Sequence, residues 1–583
     1  MTDDSATPTS NSLITSNDAL RRGSMLMSLG TFASRVSGQV RAMLLVAIIG
    51  SVGTVADAFD VGNRMPNLLF ALISAGILQA VLIPQLLKAM AAHNAQERLD
   101  KLLTFAGLSI AALTAVIALL MPQLVHLMTL SGEWSDTHRA FAVTFALWCV
   151  PQLFFYGLFS LLGQALNARG YFGAFGWAPV ANNVVSMIGF GLFWLLWGAT
   201  PAGGIDDISG WSTAQTALLA GTATLGIAAQ ALLLIWPLRR IGFRWRFRLG
   251  VRGIGLRSAG KVVGWTLGAV ALDLIGNFFL VNTTSAAGRV ATDCRDQAQE
   301  LTDLTEQALA LAACPVIAGN AAYSQALMIY FLPHSLIVVS IVTALFPRMS
   351  TAAAAGDLDE VRRDLSVGLR TAGVFSVFSS AVLLVLARPI TKALLPTASE
   401  QMVNVGAPVL QAMSLGLVAL GMTVMVKRMY FAFEDGKGIF VIQVVATTVM
   451  VSTLWLAAQR IDFQYWAIAA AGAYALGVWV SVLLRVRGMS RKLNGMDGFR
   501  ITHLYVRAIM AAMVAGVAGW WVAQQLGAYQ VRLSWMHSLT ITAAAGSVML
   551  FTYLFGLKVM KVRELDAAMA PILRRIRRRP SKP

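Results

Sequence analysis

Residues 24–50 read SMLMSLGTFASRVSGQVRAMLLVAIIG. The run is apolar along most of its length. As a helix it is long enough to cross the roughly 30 Å hydrocarbon core of a bilayer. Yet it carries Arg35 and Arg41 in its middle. An arginine at mid-bilayer costs roughly 2.5–3.5 kcal/mol on insertion scales. A chain that keeps two of them has somewhere polar to put them.

Similar runs recur outward from this one, at 58–88, 102–129, 139–166, 177–198, 213–237, 260–286, 321–348, 368–396, 403–431, 438–458, 464–485, 503–526 and 533–557. The chain of 583 residues is 57% hydrophobic and only 13% charged. Soluble domains carry about 25% charged residues. A soluble fold is therefore excluded. The expectation is an all-α polytopic membrane protein with about fourteen transmembrane helices.

The net charge of +18 would point to nucleic acid in a soluble protein. No basic domain interleaved with aromatics is present, so no nucleic-acid partner is expected. The basic residues lie instead in short connections. The stretch 239–261 holds eight Lys or Arg and no acid, whereas 287–320 holds two Arg and five acids. The positive-inside rule then places both termini in the cytoplasm of a plasma-membrane protein and 287–320 outside. An even number of spans requires the same. The basic tail would meet anionic membrane lipids.

The organisation expected is a disordered cytoplasmic tail (1–22), an N-terminal six-helix lobe (23–238), a basic cytoplasmic linker (239–259), a C-terminal six-helix lobe (260–486), helices thirteen and fourteen (487–557) and a basic cytoplasmic tail (558–583). An internal repeat supports the two lobes. Met65-Pro66-Asn67 through Pro84 has a counterpart in Leu332-Pro333-His334 through Pro347, the two closing prolines being offset by 263 positions. Six spans separate the copies. An even number preserves orientation, which makes the lobes parallel repeats suited to alternating access.

Four charges near the first two spans are the candidate substrate-binding residues: Arg35, Arg41, Asp57 and Arg64. Guanidinium stays charged and grips phosphate oxygens bidentately. Arg35 and Arg41 could line one wide cavity and hold a phosphate or pyrophosphate head group. The alternative is snorkelling to the interface or pairing with an acid. Asp57 and Arg64 are seven residues apart and share a helix face; Asp60 lies four before Arg64, an ordinary salt-bridge spacing. Pro66 implies a kink or break. In span seven, Asp273 and Asn277 could bind a coupling cation or proton, or Asp273 could act as counter-ion to Arg35 or Arg41. Cys294 and Cys314 both fall in the outside segment, where a disulfide and two free thiols are both open.

Other chemistry is not expected. The stretch Gly255 to Lys261 has phosphate-loop spacing, but Val262 stands where Ser or Thr is required and no strand precedes it. The histidines and cysteines lack metal-ligand spacing. No nucleophile–base–orienter set occurs, so neither an enzyme nor a cofactor is expected.

The stretch from Ser34 to Arg41, then Ala56-Asp57-Ala58-Phe59 and Arg64-Met65-Pro66-Asn67-Leu68-Leu69, resemble the MurJ (MviN) lipid II flippases of the MOP exporter superfamily. Ala178-Pro179-Val180-Ala181-Asn182-Asn183, Leu345-Phe346-Pro347-Arg348 and Tyr430-Phe431-Ala432-Phe433-Glu434-Asp435 follow in family order. The resemblance implies fourteen helices in a V of two lobes and a cationic central cavity. It implies lipid II as substrate, an undecaprenyl pyrophosphate carrying a muropeptide, for peptidoglycan and cell wall biogenesis. Peptidoglycan polymerases are implied as partners, and an apolar groove at the last two helices for the lipid tail. Family charges carry over to Arg35, Arg41, Asp57 and Arg64. Phe70, Ala71 and Ala326 stand where relatives are often basic, which implies a less cationic cavity. Alternatives are a flippase for another polyprenyl-pyrophosphate oligosaccharide and a MATE-like exporter.

Overall fold

The computed structural model describes residues 17–50, 52–73, 95–129, 134–168, 171–200, 204–242, 245–250, 260–299, 301, 303–433, 435–530 and 533–562. The ends of both expected tails, the second half of expected span two with Pro84, and linker residues 251–259 lie outside the described residues.

The first bundle holds α1 (Asn17–Ile49), α2 (Thr54–Ile73), α3 (Ala95–Met128), α4 (Asp136–Cys149), α5 (Pro151–Ala168), α6 (Phe172–Trp197), α7 (Thr213–Leu232) and α8 (Ile235–Arg240). The second holds α9 (Gly260–Gln299), α10 (Leu304–Ala313), α11 (Asn320–Pro333), α12 (Val339–Ala355), α13 (Leu358–Val385), α14 (Ala387–Leu394), α15 (Glu400–Ser414), α16 (Leu417–Ala432), α17 (Gly436–Arg460) and α18 (Trp466–Lys492). Two further helices follow, α19 (Gly498–Gln525) and α20 (Trp535–Val559).

Among the described residues, eleven helical stretches are long and apolar enough to cross a membrane; α15 and α16, meeting at 47°, make a twelfth if counted as one span. The other two expected spans are 58–88, described as α2 up to Ile73, and 321–348, which is broken into α11, a π-helical turn at His334–Val338, and α12.

Four details depart from the sequence reading. Helix α1 already begins at Asn17, inside the segment expected as tail. Expected span ten is bent at Gly416, a residue whose own packing against Ala475 leaves no room for a side chain. Expected span eight is interrupted by the π turn, just past Pro333. Helix α9 does not end at 286 but runs 40 residues, which is about 60 Å at 1.5 Å per residue. Much of 287–320 is therefore helix, built from α9 and α10. Cys294 and Cys314 form a disulfide with a Cα–Cα distance of 5.8 Å. It staples α9 to the C-cap of α10. Asp303 caps the start of α10, and the Glu306 and Thr305 backbone N–H groups hold its carboxyl below the ordinary range.

The repeat is visible in the packing. In the first bundle α1 lies along α6, α2 along α4, and α6 along α7; in the second, α9 lies along α17, α11 along α15, and α17 along α18. Each pairing recurs six spans later in the same order. The α1–α6 approach depends on Gly30 and Gly176, since a Cβ on Gly30 would lie 2.7 Å from the Gly176 backbone. Each bundle has its own apolar core, with Val46 and Val52 reaching into that of the second and Val281 into that of the first, and α19 and α20 pack against each other and against α13. Below, the end carrying the disulfide is called the bridged end, and the opposite one the basic end. At the basic end the linker is tied to α3, where the Arg246 N–H donates to Asp100 and Trp245 Nε1 donates to Thr104.

Candidate functional site

The two bundles are joined at the bridged end by polar contacts. Helix α11 starts at Gly319, a cap residue with no side chain to offer its first N–H groups. Such groups are normally satisfied by a capping oxygen. Here Asp57 of α2 supplies it from across the interface. The Ala321 N–H donates to Asp57 Oδ1 at 2.6 Å. The carboxylate also benefits from the positive end of the α11 dipole. Asp57 is only 6% exposed. It fits because Gly288 and Gly319 lack Cβ atoms, which would lie 2.6 and 2.5 Å from its Oδ2.

One turn along α2, Asp60 accepts from Asn320 Nδ2 and Ser324 Oγ, both at 2.7 Å. Arg64 donates to Asn320 Oδ1 at 3.1 Å and to Ser324 Oγ, and pairs with Asp60 at 3.7 Å. Its guanidinium also lies over the Tyr323 ring. The face shared by Asp57 and Arg64 is thus turned to α11, and the acid beside Arg64 is Asp60.

Further contacts extend this closure. Arg289 of α9 donates to Thr54 at 3.5 Å and pairs with Asp293 at 2.7 Å. Arg295 pairs with Asp206, which also accepts from the Thr54 N–H at 2.9 Å. Asn282 Nδ2 donates to the Leu127 carbonyl at 2.9 Å, and Gln39 Nε2 to the Leu394 carbonyl at 3.1 Å. Charge at span ends flagged Asp57 and Arg64 in the sequence. The receiving residues, Asn320 and Ser324, are neutral and gave no such signal.

Arg35 and Arg41 stand apart from this closure. Among the described residues neither makes an ion pair with an acid. Arg35 is exposed and within electrostatic reach of His334, which begins the π turn. Arg41 is half-buried and within reach of Tyr156, whose ring stacks on Phe70 at 5.3 Å. An aromatic pair, Phe70 and Tyr156, thus stands beside Arg41.

Asp273 and Asn277 lie elsewhere, inside the second bundle. They line a cavity of about 320 Å³ between α9, α16, α17 and α18. The charges that act on Asp273 are those of Lys427 and Arg485, not those of Arg35 or Arg41 as expected. The geometry has a plain reason: α9 turns this face inward to its own bundle, against α17. Lys427 and Arg485 were not singled out in the sequence. Each lies near the end of an apolar run and reads there as interface charge.

A groove of about 760 Å³ runs between α13, α15, α16 and α19. Leu384, Leu415, Ile509, Met513, Val517 and Trp520 make it predominantly apolar.

Comparison with known proteins places this geometry. The family model for Lipid II flippase MurJ matches residues 45–540. The probable lipid II flippase MurJ of Rhizobium meliloti is 25% identical over 547 residues, covering 90% of this chain and 92% of that protein. That of Rickettsia prowazekii is 29% identical over 177 residues, covering 29% of this chain and 34% of that protein. Among solved structures, "Lipid II flippase MurJ, inward closed conformation" superposes with a TM-score of 0.65 at 17% identity, covering 92% of this chain and 99% of that one. A MATE transporter in complex with MaL6 gives 0.55 at 12% identity, covering 82% and 96%. At these identities the structures show a shared fold, while the sequence match over most of the length shows the family. This all-α multi-pass membrane protein belongs to the lipid II flippase MurJ family, a family of transporters rather than enzymes.

Proposed function

We propose that the chain carries lipid II from the cytoplasmic to the outer leaflet by alternating access, and that Arg35 and Arg41 hold its pyrophosphate. In this reading the bridged end faces outside and both termini are cytoplasmic. The observation that carries the reading is the contrast between the two sets of charges on α1 and α2. Asp57 and Arg64 are engaged across the bundle interface, while Arg35 and Arg41 have no acidic partner among the described residues. A fixed cation without a carboxylate at membrane depth suits an anionic head group that arrives and leaves. Engagement at the bridged end describes a carrier shut to the outside, so that Asp57 and Arg64 act as closure residues more than as ligands. The apolar groove beside α19 suits the polyprenyl tail, which stays in lipid while the head group crosses. Peptidoglycan polymerases on the outer face are the natural acceptors of the product.

Replacing Arg35 with Ala removes a charge-assisted contact of about 1.5–3 kcal/mol, roughly 10- to 150-fold in affinity. The Arg35→Ala variant is expected to insert normally, to fail in rescuing a flippase-depleted strain, and to let lipid II accumulate in the inner leaflet. Full rescue by an inserted variant would remove Arg35 from the mechanism. Accumulation of a different lipid-linked sugar on depletion would reassign the substrate.

A further inference from the structure

The cavity inside the second bundle holds three ionisable side chains that do not touch. Among the described residues Asp273, Lys427 and Arg485 form no ion pair with one another within 4 Å. What separates Asp273 from Arg485 is Gln443, whose Nε2 donates to Asp273 Oδ1 at 2.5 Å and whose Oε1 accepts from Arg485 Nη2 at 3.4 Å. Arg485 is 1% exposed, and its Nε donates to Ser481 at 3.0 Å. Its Nη1 is buried without any hydrogen-bond partner. The buried Thr423 hydroxyl of α16 is likewise unpartnered. Two cations against one carboxylate leave the cavity with a net charge of +1, Arg485 being buried, Lys427 partly buried and Asp273 exposed. Buried donors without partners are costly, and so is an uncompensated buried charge. Both costs fall if an anion occupies the space.

The donor set narrows the anion. A guanidinium edge, an ammonium and a hydroxyl converge on one volume, which matches an oxyanion better than a halide. Asp273, by contrast, only accepts hydrogen bonds when ionised. A fully ionised oxyanion such as sulfate would meet it with repulsion. An oxyanion that keeps one hydroxyl can donate to it. The volume of about 320 Å³ leaves room for accompanying water. Two fixed cations in the same space also disfavour a metal cation at Asp273.

We propose that this cavity binds a singly protonated phosphate, either free hydrogen phosphate or a phosphate monoester, held between Lys427 and Arg485 with its hydroxyl donating to Asp273. The site lies within one bundle and is separate from Arg35 and Arg41, so its test does not depend on the transport reading.

The experiment is equilibrium binding of radiolabelled inorganic phosphate to the full-length protein in detergent, in competition with sulfate or with a short alkyl phosphate monoester at constant ionic strength. Phosphate is expected to bind saturably, and sulfate to compete about tenfold or more weakly, one lost charge-assisted hydrogen bond being worth that factor. Lys427→Met leaves Arg485 and Asp273 balanced and keeps the bundle folded, and it is expected to weaken phosphate about tenfold or more. Tighter competition by the alkyl monoester than by unlabelled phosphate identifies a lipid-borne phosphate; the reverse identifies the free ion. Equal competition by sulfate, undiminished binding in Lys427→Met, or no binding of either phosphate overturns the proposal.

Discussion

The two bundles share a helix frame and differ in where they keep their charge. In the first, among the described residues, the polar contacts midway along the bundle are neutral, and the buried Asp100 lies at its basic end. Gln152, fully buried, donates to Asn63 at 3.0 Å and to Thr224 at 3.2 Å, and Asn183 donates to the Ser34 carbonyl and the Ser37 hydroxyl. Its charges sit on the outside of that interior, on α1 and on the α2 face turned to α11. In the second, the charges are inside, around Gln443. One scaffold therefore serves two ends: a bundle with a neutral middle can present its cations to the space between bundles, whereas a bundle with a charged middle has turned its cations inward. The shared pairings of α1 with α6 and of α9 with α17 make the difference one of side chains alone.

That comparison can be broken from either side. The largest effect is expected at Asp273. Asp273→Leu leaves the buried Arg485 and the partly buried Lys427 without a counter-charge, at a cost of about 3 kcal/mol, since Asp273 itself is exposed. The expected outcome is a marked drop in detergent thermal stability; an unchanged melting temperature would mean that water reaches the site freely. Next comes the interface. Asp57→Asn keeps the shape but loses the charge toward the Ala321 N–H, worth about 1.5–3 kcal/mol. It is expected to favour opening at the bridged end, read as faster labelling of a cysteine placed on the first turn of α11. Labelling at the wild-type rate would show that Asp57 is not part of the closure. The smallest effect is expected in the neutral interior. Gln152→Leu exchanges two uncharged hydrogen bonds for apolar packing, at about 1 kcal/mol. A loss as large as that of Asp273→Leu would erase the distinction between the two interiors.

The frame was legible because lipid-facing helices must be apolar over a fixed length, so 24–50 and its successors declare themselves. What hydropathy could not report is direction change within a span. The apolar run 403–431 passes through Gly416 with no charge or proline beside it to mark the bend. Nor could it report helix beyond the apolar run: 287–299 is polar, yet its Ala, Arg and Gln residues are good helix formers and continue α9. Arg35 and Arg41 stood out because they interrupt an apolar run. Lys427 and Arg485 did not, because each lies close enough to a span end to pass for interface charge. Asp273 was visible as an acid within an apolar run, but its partners were misassigned. Spacing along one helix says which face a residue is on and not which bundle that face meets.

The joint between α2 and α11 is made of groups that solvent can satisfy as well as protein can. When such a seam parts, each carboxylate and amide trades one partner for a water molecule, and little dry surface is laid bare. A greasy seam of equal extent would resist parting in proportion to its area. A door hung this way rests near balance, and a modest push from a passenger inside is enough to swing it.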